Sequence, residues 1–189
     1  MNLKNKRVLV TAGCGGVGYE IVNTLAEQGA EVVATSRSEK VAQEKELEWK
    51  KERKDICSRI LSFNEQDLSS DLRDIIEEYG RFDGLVNAAS GRFPAKLVEE
   101  TTFDDMVEDF KSCVCQSFLC SLIMVQQKQI TCIRSIVNIG SIYGSLAVDH
   151  RIYNNQNKQT SIAYSTAKGG LNQMSKYLSA YWASMGIRV

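Results

Sequence analysis

The 189-residue sequence has one proline, Pro94, and one histidine, His150. A lone histidine cannot complete a Cys/His zinc set. The six cysteines, at 14, 57, 113, 115, 120 and 132, contain no CxxC pair. Reduced, mostly buried thiols and no metal are therefore expected. Net charge is also missing: 23 basic side chains face 23 acidic ones. That leaves no electrostatic footprint for nucleic acid or an anionic membrane. The longest near-apolar run, 118–125, is far below the ~18–20 residues that span a bilayer. Residues 1–10 carry lysines and only a short apolar stretch, which is not a signal peptide. A cytoplasmic chain without nucleic-acid or membrane partners is expected.

What is present is an ordinary globular balance, 43% apolar and 24% charged. The length suits a single domain over 1–189. Short β-branched runs at 6–11, 31–35, 58–63, 83–88 and 135–140 read as strands. Between them, 17–28, 38–55, 69–79, 102–127 and 160–184 read as helices, the last capped by Thr160 or Ser161. Segment 38–55 has 12 charged residues in 18 positions and reads as a solvated helix face. Strands alternating with helices predict an α/β fold, a doubly wound parallel sheet of Rossmann type in three layers, α/β/α. Residues 187–189 look like the start of a sixth strand, so the last strands of such a sheet are expected to be lacking.

The first strand runs into Thr11-Ala12-Gly13-Cys14-Gly15-Gly16-Val17-Gly18. Glycines between a first strand and a first helix let a pyrophosphate approach the backbone and the helix N-terminus. The second strand closes on Ser36 and Arg37 with no acid. A hydroxyl followed by a guanidinium suits a phosphate. Asp67-Leu68 follows the third strand, where the Asp also suits a helix cap. Asn87-Ala88-Ala89-Ser90 follows the fourth, and small residues there permit close backbone approach. Ser141 closes the fifth in Asn138-Ile139-Gly140-Ser141. Tyr164-Ser165-Thr166-Ala167-Lys168 puts a phenol and an ammonium on one helix face. An ammonium beside a phenol favours its ionised form, which makes Tyr164 a workable acid or base.

In this order and on these elements, the motifs resemble those of the short-chain dehydrogenase/reductase family. Thr11, Gly16 and Gly18 match its TGxxxGxG, with Ala12 in place of the first glycine. Asn87 and Ala89 match its NNAG. The resemblance implies an oxidoreductase interconverting a secondary alcohol and a ketone with a nicotinamide cofactor. Tyr164 would exchange the proton, and Ser141 would polarise the carbonyl. Lys168 would support Tyr164 and bind the nicotinamide ribose. Gly13, Gly16, Val17, Gly18, Asn87, Ala88 and Ala89 would line the cofactor. Asp67 and the Leu68 amide would meet the adenine. With Ser36 and Arg37, NADP(H) is favoured over NAD(H). The family commonly forms homo-oligomers through its two long helices, here 102–127 and 160–184.

Three departures accompany the match. Ser141 and Tyr164 lie 23 positions apart, more than the family spacing, which implies an insertion in the polar stretch 148–159. Tyr153 competes on spacing, but Asn157 stands where its lysine would be. A long insertion with Ile-Tyr-Gly after the serine is similar to a branch linked to bacterial surface-sugar and flagellin modification. Counting back 25 from Asn138, the family's interval to an asparagine that relays protons, lands on Cys113, a poor hydrogen-bonding group. Family members also run longer and carry a Pro-Gly after a Gly-Ile-Arg-Val start, which this sequence lacks. The rival expectation is a nucleotide-binding pseudoenzyme or an inactive fragment of a longer reductase.

Overall fold

Alternation along the first strand places Val8 and Val10 on one side of a sheet and Leu9 on the other, all buried. The same split recurs in the second strand, with Val32 and Ala34 opposite Val33, and in the fourth, with Leu85 opposite Val86. Strands apolar on both faces need helices on both faces. The computed structural model, which describes residues 2–52, 54–62, 64–91, 96–153 and 160–189, has that architecture. Phe63, Pro94 and residues 154–159 of the expected insertion lie outside the described residues.

The strands are β1 (Arg7–Thr11), β2 (Glu31–Ser36), β3 (Ile56–Ile60), β4 (Gly84–Asn87) and β5 (Ser135–Asn138). They form one parallel sheet in the order β3-β2-β1-β4-β5. The order reverses between β1 and β4, which opens a crevice at their carboxyl ends, where open α/β sheets bind ligands. Beyond β5, Arg188 bridges Ser135 in parallel, so residues 187–189 do start to extend the sheet.

Helices α1 (Gly16–Glu27) and α2 (Glu39–Lys51) cover one face, where Val22 and Trp49 reach the core. Trp49 stacks on Tyr19 and donates its indole N–H to Asn23. The expected solvated helix thus has a buried seam at Ala42 and Trp49. The other face is covered by α3 (Glu65–Tyr79), by α5 (Gln116–Gln126) and by α7 (Ile162–Trp182). The short α6 (Lys128–Thr131) leads into β5.

Three elements differ from the sequence expectation: β3 runs over Ile56–Ile60 and not 58–63, and two helices change. Helix α3 begins at Glu65, not 69, because the Asn64 side chain caps it by accepting from the Asp67 N–H at 2.9 Å. The expected helix 102–127 is α4 (Phe103–Phe110), a π-helical turn (Lys111–Cys115) and α5. Thr102 and Asp105 form a capping box at its start. Along it, Ser117 Oγ donates to the Cys113 carbonyl and Ser121 Oγ to the Ser117 carbonyl, which engages carbonyls next to the widened turn.

Edge strand β3 is tied to α2 by Glu46. Its carboxylate accepts from the Ser58 N–H at 2.9 Å and hydroxyl at 2.8 Å, and pairs with Lys50 at 2.7 Å. Burial pushes this carboxyl up, but these donors outweigh it and hold it at about 2. A lowered folded-state pKa gives stability that is present above the ordinary carboxylate range and lost as pH falls toward 2. Glu46→Gln should therefore narrow the difference in denaturation midpoint between pH 7 and pH 3, read by urea titration at each pH.

Candidate active site

The crevice is assembled by hydroxyls at strand ends. Thr11 Oγ1 accepts from the Ala88 and Ala89 amides at 3.0 and 3.1 Å, which joins β1 to the segment after β4. Thr35 Oγ1 accepts from the Ala12 amide at 3.2 Å, which joins β2. Helix α1 starts at Gly16 with no side-chain cap. The uncapped amides of a first turn attract an anion. Gly18 is buried where α1 meets the turn, and a Cβ there would collide with the Ala12 carbonyl oxygen. Gly13 is buried behind the turn, near Ala34 and Val22, while Val17 stands at the mouth, exposed.

Beside Thr11, Ala12 and Thr35 lies a cleft of about 320 Å³, open to solvent. Of the residues expected from sequence, Ser36, Arg37, Leu68, Asn87 and Ala89 line it. Asp67 does not. It sits in the first turn of α3, exposed, held by the Asn64 amide at 2.6 Å. The wall next to Leu68 is made instead by Leu61 and Ser62, which follow β3. The Ser62 amide is fixed by Asp71 at 2.7 Å.

Asn87, only 2% exposed, donates its side-chain amide to Asn138 Oδ1 at 2.8 Å and Ser121 Oγ at 3.1 Å. Asn138 in turn donates to Ser175 Oγ of α7 at 2.8 Å. This chain ties β4, β5, α5 and α7 together below the crevice. The Asn87 Oδ1 atom is buried with no hydrogen-bond partner among the described residues, and a buried acceptor of that kind favours a donor from a ligand or water.

The second group of expected residues gathers on β5 and α7. Lys168 is 3% exposed and donates from Nζ to the Ile139 carbonyl at 2.6 Å. Burial pushes its ammonium below the usual lysine range. The same Nζ lies 5.7 Å from the centre of the Tyr164 ring, as the four-residue spacing predicts. Ser141 caps the short turn Ile142–Gly144, its Oγ accepting from the Tyr143 amide at 3.2 Å. That turn rests directly on α7: a Cβ on Gly144 would lie 2.8 Å from the Lys168 carbonyl oxygen. The Tyr153 hydroxyl lies between those of Tyr143 (2.9 Å) and Thr160 (3.1 Å).

Cys113 lies in the π turn, fully buried against Val114, Ala167 and Leu171, with Tyr164 packed on the same cluster. Burial pushes its thiol up, against the opposing pull of Lys168, so it is held as a thiol. All six cysteines are free, three of them buried; Cys115 and Cys132 are exposed.

The residues not foreseen from sequence are Thr35, Leu61, Ser62, Gln116, Ser117 and Cys120 in the cleft, and Gly144 behind Lys168. Gln116 and Cys120 are four apart on a helix, a spacing that the sequence does display. The turn carries strain at Ala12, whose φ of +52° is in the left-handed region. That conformation costs a non-glycine residue roughly 1–2 kcal/mol. Ala12→Gly relieves it, less roughly 0.4–1 kcal/mol of unfolded-chain entropy. The melting temperature should therefore rise by a few degrees, read by calorimetry.

The sequence pattern of the short chain dehydrogenase family matches residues 6–189. A tropinone reductase homolog from Arabidopsis thaliana is 27% identical over 99% of this chain and 58% of its own length. Post-translational flagellin modification protein A from Campylobacter coli is 26% identical over 99% of this chain and 75% of its own length. The chain therefore spans less than two thirds of the first relative. The crystal structure of gox2181 superposes with a TM-score of 0.84 at 28% identity, over 100% of this chain and 70% of that one. The ordered motifs, the sheet and these likenesses agree, and the chain belongs to the short chain dehydrogenase family.

Proposed function

We propose that the chain is an NADP(H)-dependent oxidoreductase that interconverts a secondary alcohol and a ketone. The observation that carries this reading is the placement of Tyr164 beside the buried Lys168 ammonium, with the Ser141 turn packed on the same helix. The residues present fit a nicotinamide dinucleotide. Helix α1 offers an uncapped N-terminus for the pyrophosphate, and Gly15 has open space over its missing Cβ. Asn87 keeps a buried acceptor without a donor among the described residues. The end of β2 supplies Ser36 and Arg37 at the cleft and no carboxylate to repel a 2′-phosphate.

When bound, the cofactor supplies or accepts the hydride. The chain's own residues do the rest. Tyr164 gives its phenolic proton to the carbonyl oxygen in reduction and takes it back in oxidation. The Ser141 hydroxyl donates a hydrogen bond to that oxygen and orients the substrate. Lys168 uses one of its three N–H donors on Ile139, which pins the ammonium beside Tyr164 and leaves two for ribose hydroxyls. The likeness to a flagellin-modification protein makes sugar-derived ketones the first substrates to screen.

The reading extends to a homo-oligomer through α4–α5 and α7, which is supported by exposed aromatics on these elements: Phe103 (80% exposed), Phe118, Tyr177 and Tyr181. Cys113 favours a second reading, binding without turnover. A buried thiol stands where the family's pattern has an amide, and it is a poor relay of protons to Lys168.

One assay separates the two. The purified chain is followed by loss of NADPH absorbance with a panel of ketones, and Tyr164→Phe is run beside it. The proposal expects turnover that falls roughly 10²–10⁴-fold in Tyr164→Phe, with NADPH affinity unchanged. Binding with no turnover in either protein supports the second reading. Equal turnover in both would remove Tyr164 from the mechanism.

A further inference from the structure

Asp109 lies on the last turn of α4, away from the cleft, and is 2% exposed. A carboxylate so buried is costly unless donors reach it. Among the described residues its side-chain neighbour at hydrogen-bonding range is Ser161, whose hydroxyl oxygen lies 3.5 Å from Oδ2. Burial raises the Asp109 carboxyl, and the Ser161 hydroxyl opposes that rise. Ser161 is the N-cap of α7. Its Oγ accepts from the Tyr164 amide at 3.1 Å, and its carbonyl accepts from the Ser165 amide at 3.1 Å.

A serine hydroxyl has one hydrogen to give and lone pairs to receive. The Ser161 hydroxyl faces Asp109 Oδ2 across 3.5 Å, and its oxygen accepts from the Tyr164 amide at 3.1 Å. The three residues therefore form a directed chain from α4, through the cap, to the helix residue that carries the phenol. Tyr164 belongs to the first turn of α7, the part that frays when a cap is lost, whereas Lys168 is a turn further in and fastened to Ile139. The distance between phenol and ammonium depends on that cap.

We propose that Asp109 is a positioning residue that fixes Tyr164 through the Ser161 cap. Its consequence for turnover rests on the reading of Tyr164 as the proton-exchanging group; the link itself does not. At 3.5 Å the Asp109–Ser161 contact is long for an O–H···O bond, and it is the link that the test addresses.

The test is a comparison of Asp109→Asn, Asp109→Leu, Ser161→Ala and the Leu/Ala double variant. Hydrogen–deuterium exchange reads the amides of 162–165, and steady-state kinetics reads turnover. Asparagine keeps an oxygen that accepts from Ser161, so Asp109→Asn should match the wild type. Asp109→Leu and Ser161→Ala should each quicken exchange at 162–165 by roughly threefold to tenfold, the scale of a lost N-cap. The double variant should be no worse than Ser161→Ala, because both changes cut one chain. With an active chain, kcat should fall in Asp109→Leu while KM for NADPH holds, and Asp109→Asn should restore it. Unchanged exchange in Asp109→Leu, additive effects in the double variant, or asparagine as damaging as leucine would each overturn the proposal. Should the wild type turn over no substrate, the oxidoreductase reading fails while the exchange data still decide the link.

Discussion

The contact of Gly18 with the Ala12 carbonyl fixes how closely α1 can approach the end of β1, and much of the crevice depends on that approach. No side chain fits between them. The helix therefore starts close to the strand end, and its first-turn amides have no side-chain cap. Ala12 is held in a left-handed conformation to make the turn, and Thr35 and Thr11 brace the turn from β2 and the β4 end. These are the groups that a phosphate chain would approach, and each is placed by backbone geometry, with no flexible side chain between it and the sheet.

The second half of the candidate site is organised around a buried cation. Taking the Lys168 ammonium out of water is costly, and the Ile139 carbonyl and the Tyr164 ring face offset part of that cost. The surrounding elements close on it: the Gly144 turn touches the Lys168 backbone, and the π turn brings Cys113 against the same side of α7. The Asn87–Asn138–Ser175 chain joins this half to the crevice, so that β4, β5 and α7 hold their spacing below both.

Much of this was legible in the sequence because the physics was local. Short β-branched runs marked the strands, and the Tyr164/Lys168 spacing fixed one helix face before any tertiary contact was known. Asp67 was misplaced because two cap signals compete in a short stretch. Asn64 wins, with an oxygen accepting from the Asp67 amide, and the helix absorbs the acid. Residues 61–62 were read as strand, but the register with β2 ends at Ile60; the Leu61 amide still donates to the Ser36 carbonyl at 3.0 Å, and both residues line the cleft. The π turn has no periodic signature, since one widened turn only offsets the helical phase of the residues after it. Asp109 carries no motif, and its burial emerges only when α7 packs on α4.

The crevice is proposed to bind a phosphorylated nicotinamide dinucleotide, and the rest of the functional reading stands on that binding. The direct measurement is a titration of the purified chain with NADPH and, separately, with NADH, followed by cofactor fluorescence, on the wild type and on Arg37→Ala. Tighter binding of NADPH than of NADH is predicted, with the preference reduced in Arg37→Ala. A preference for NADH would contradict the role given to Ser36 and Arg37, and binding of neither would contradict the proposal itself.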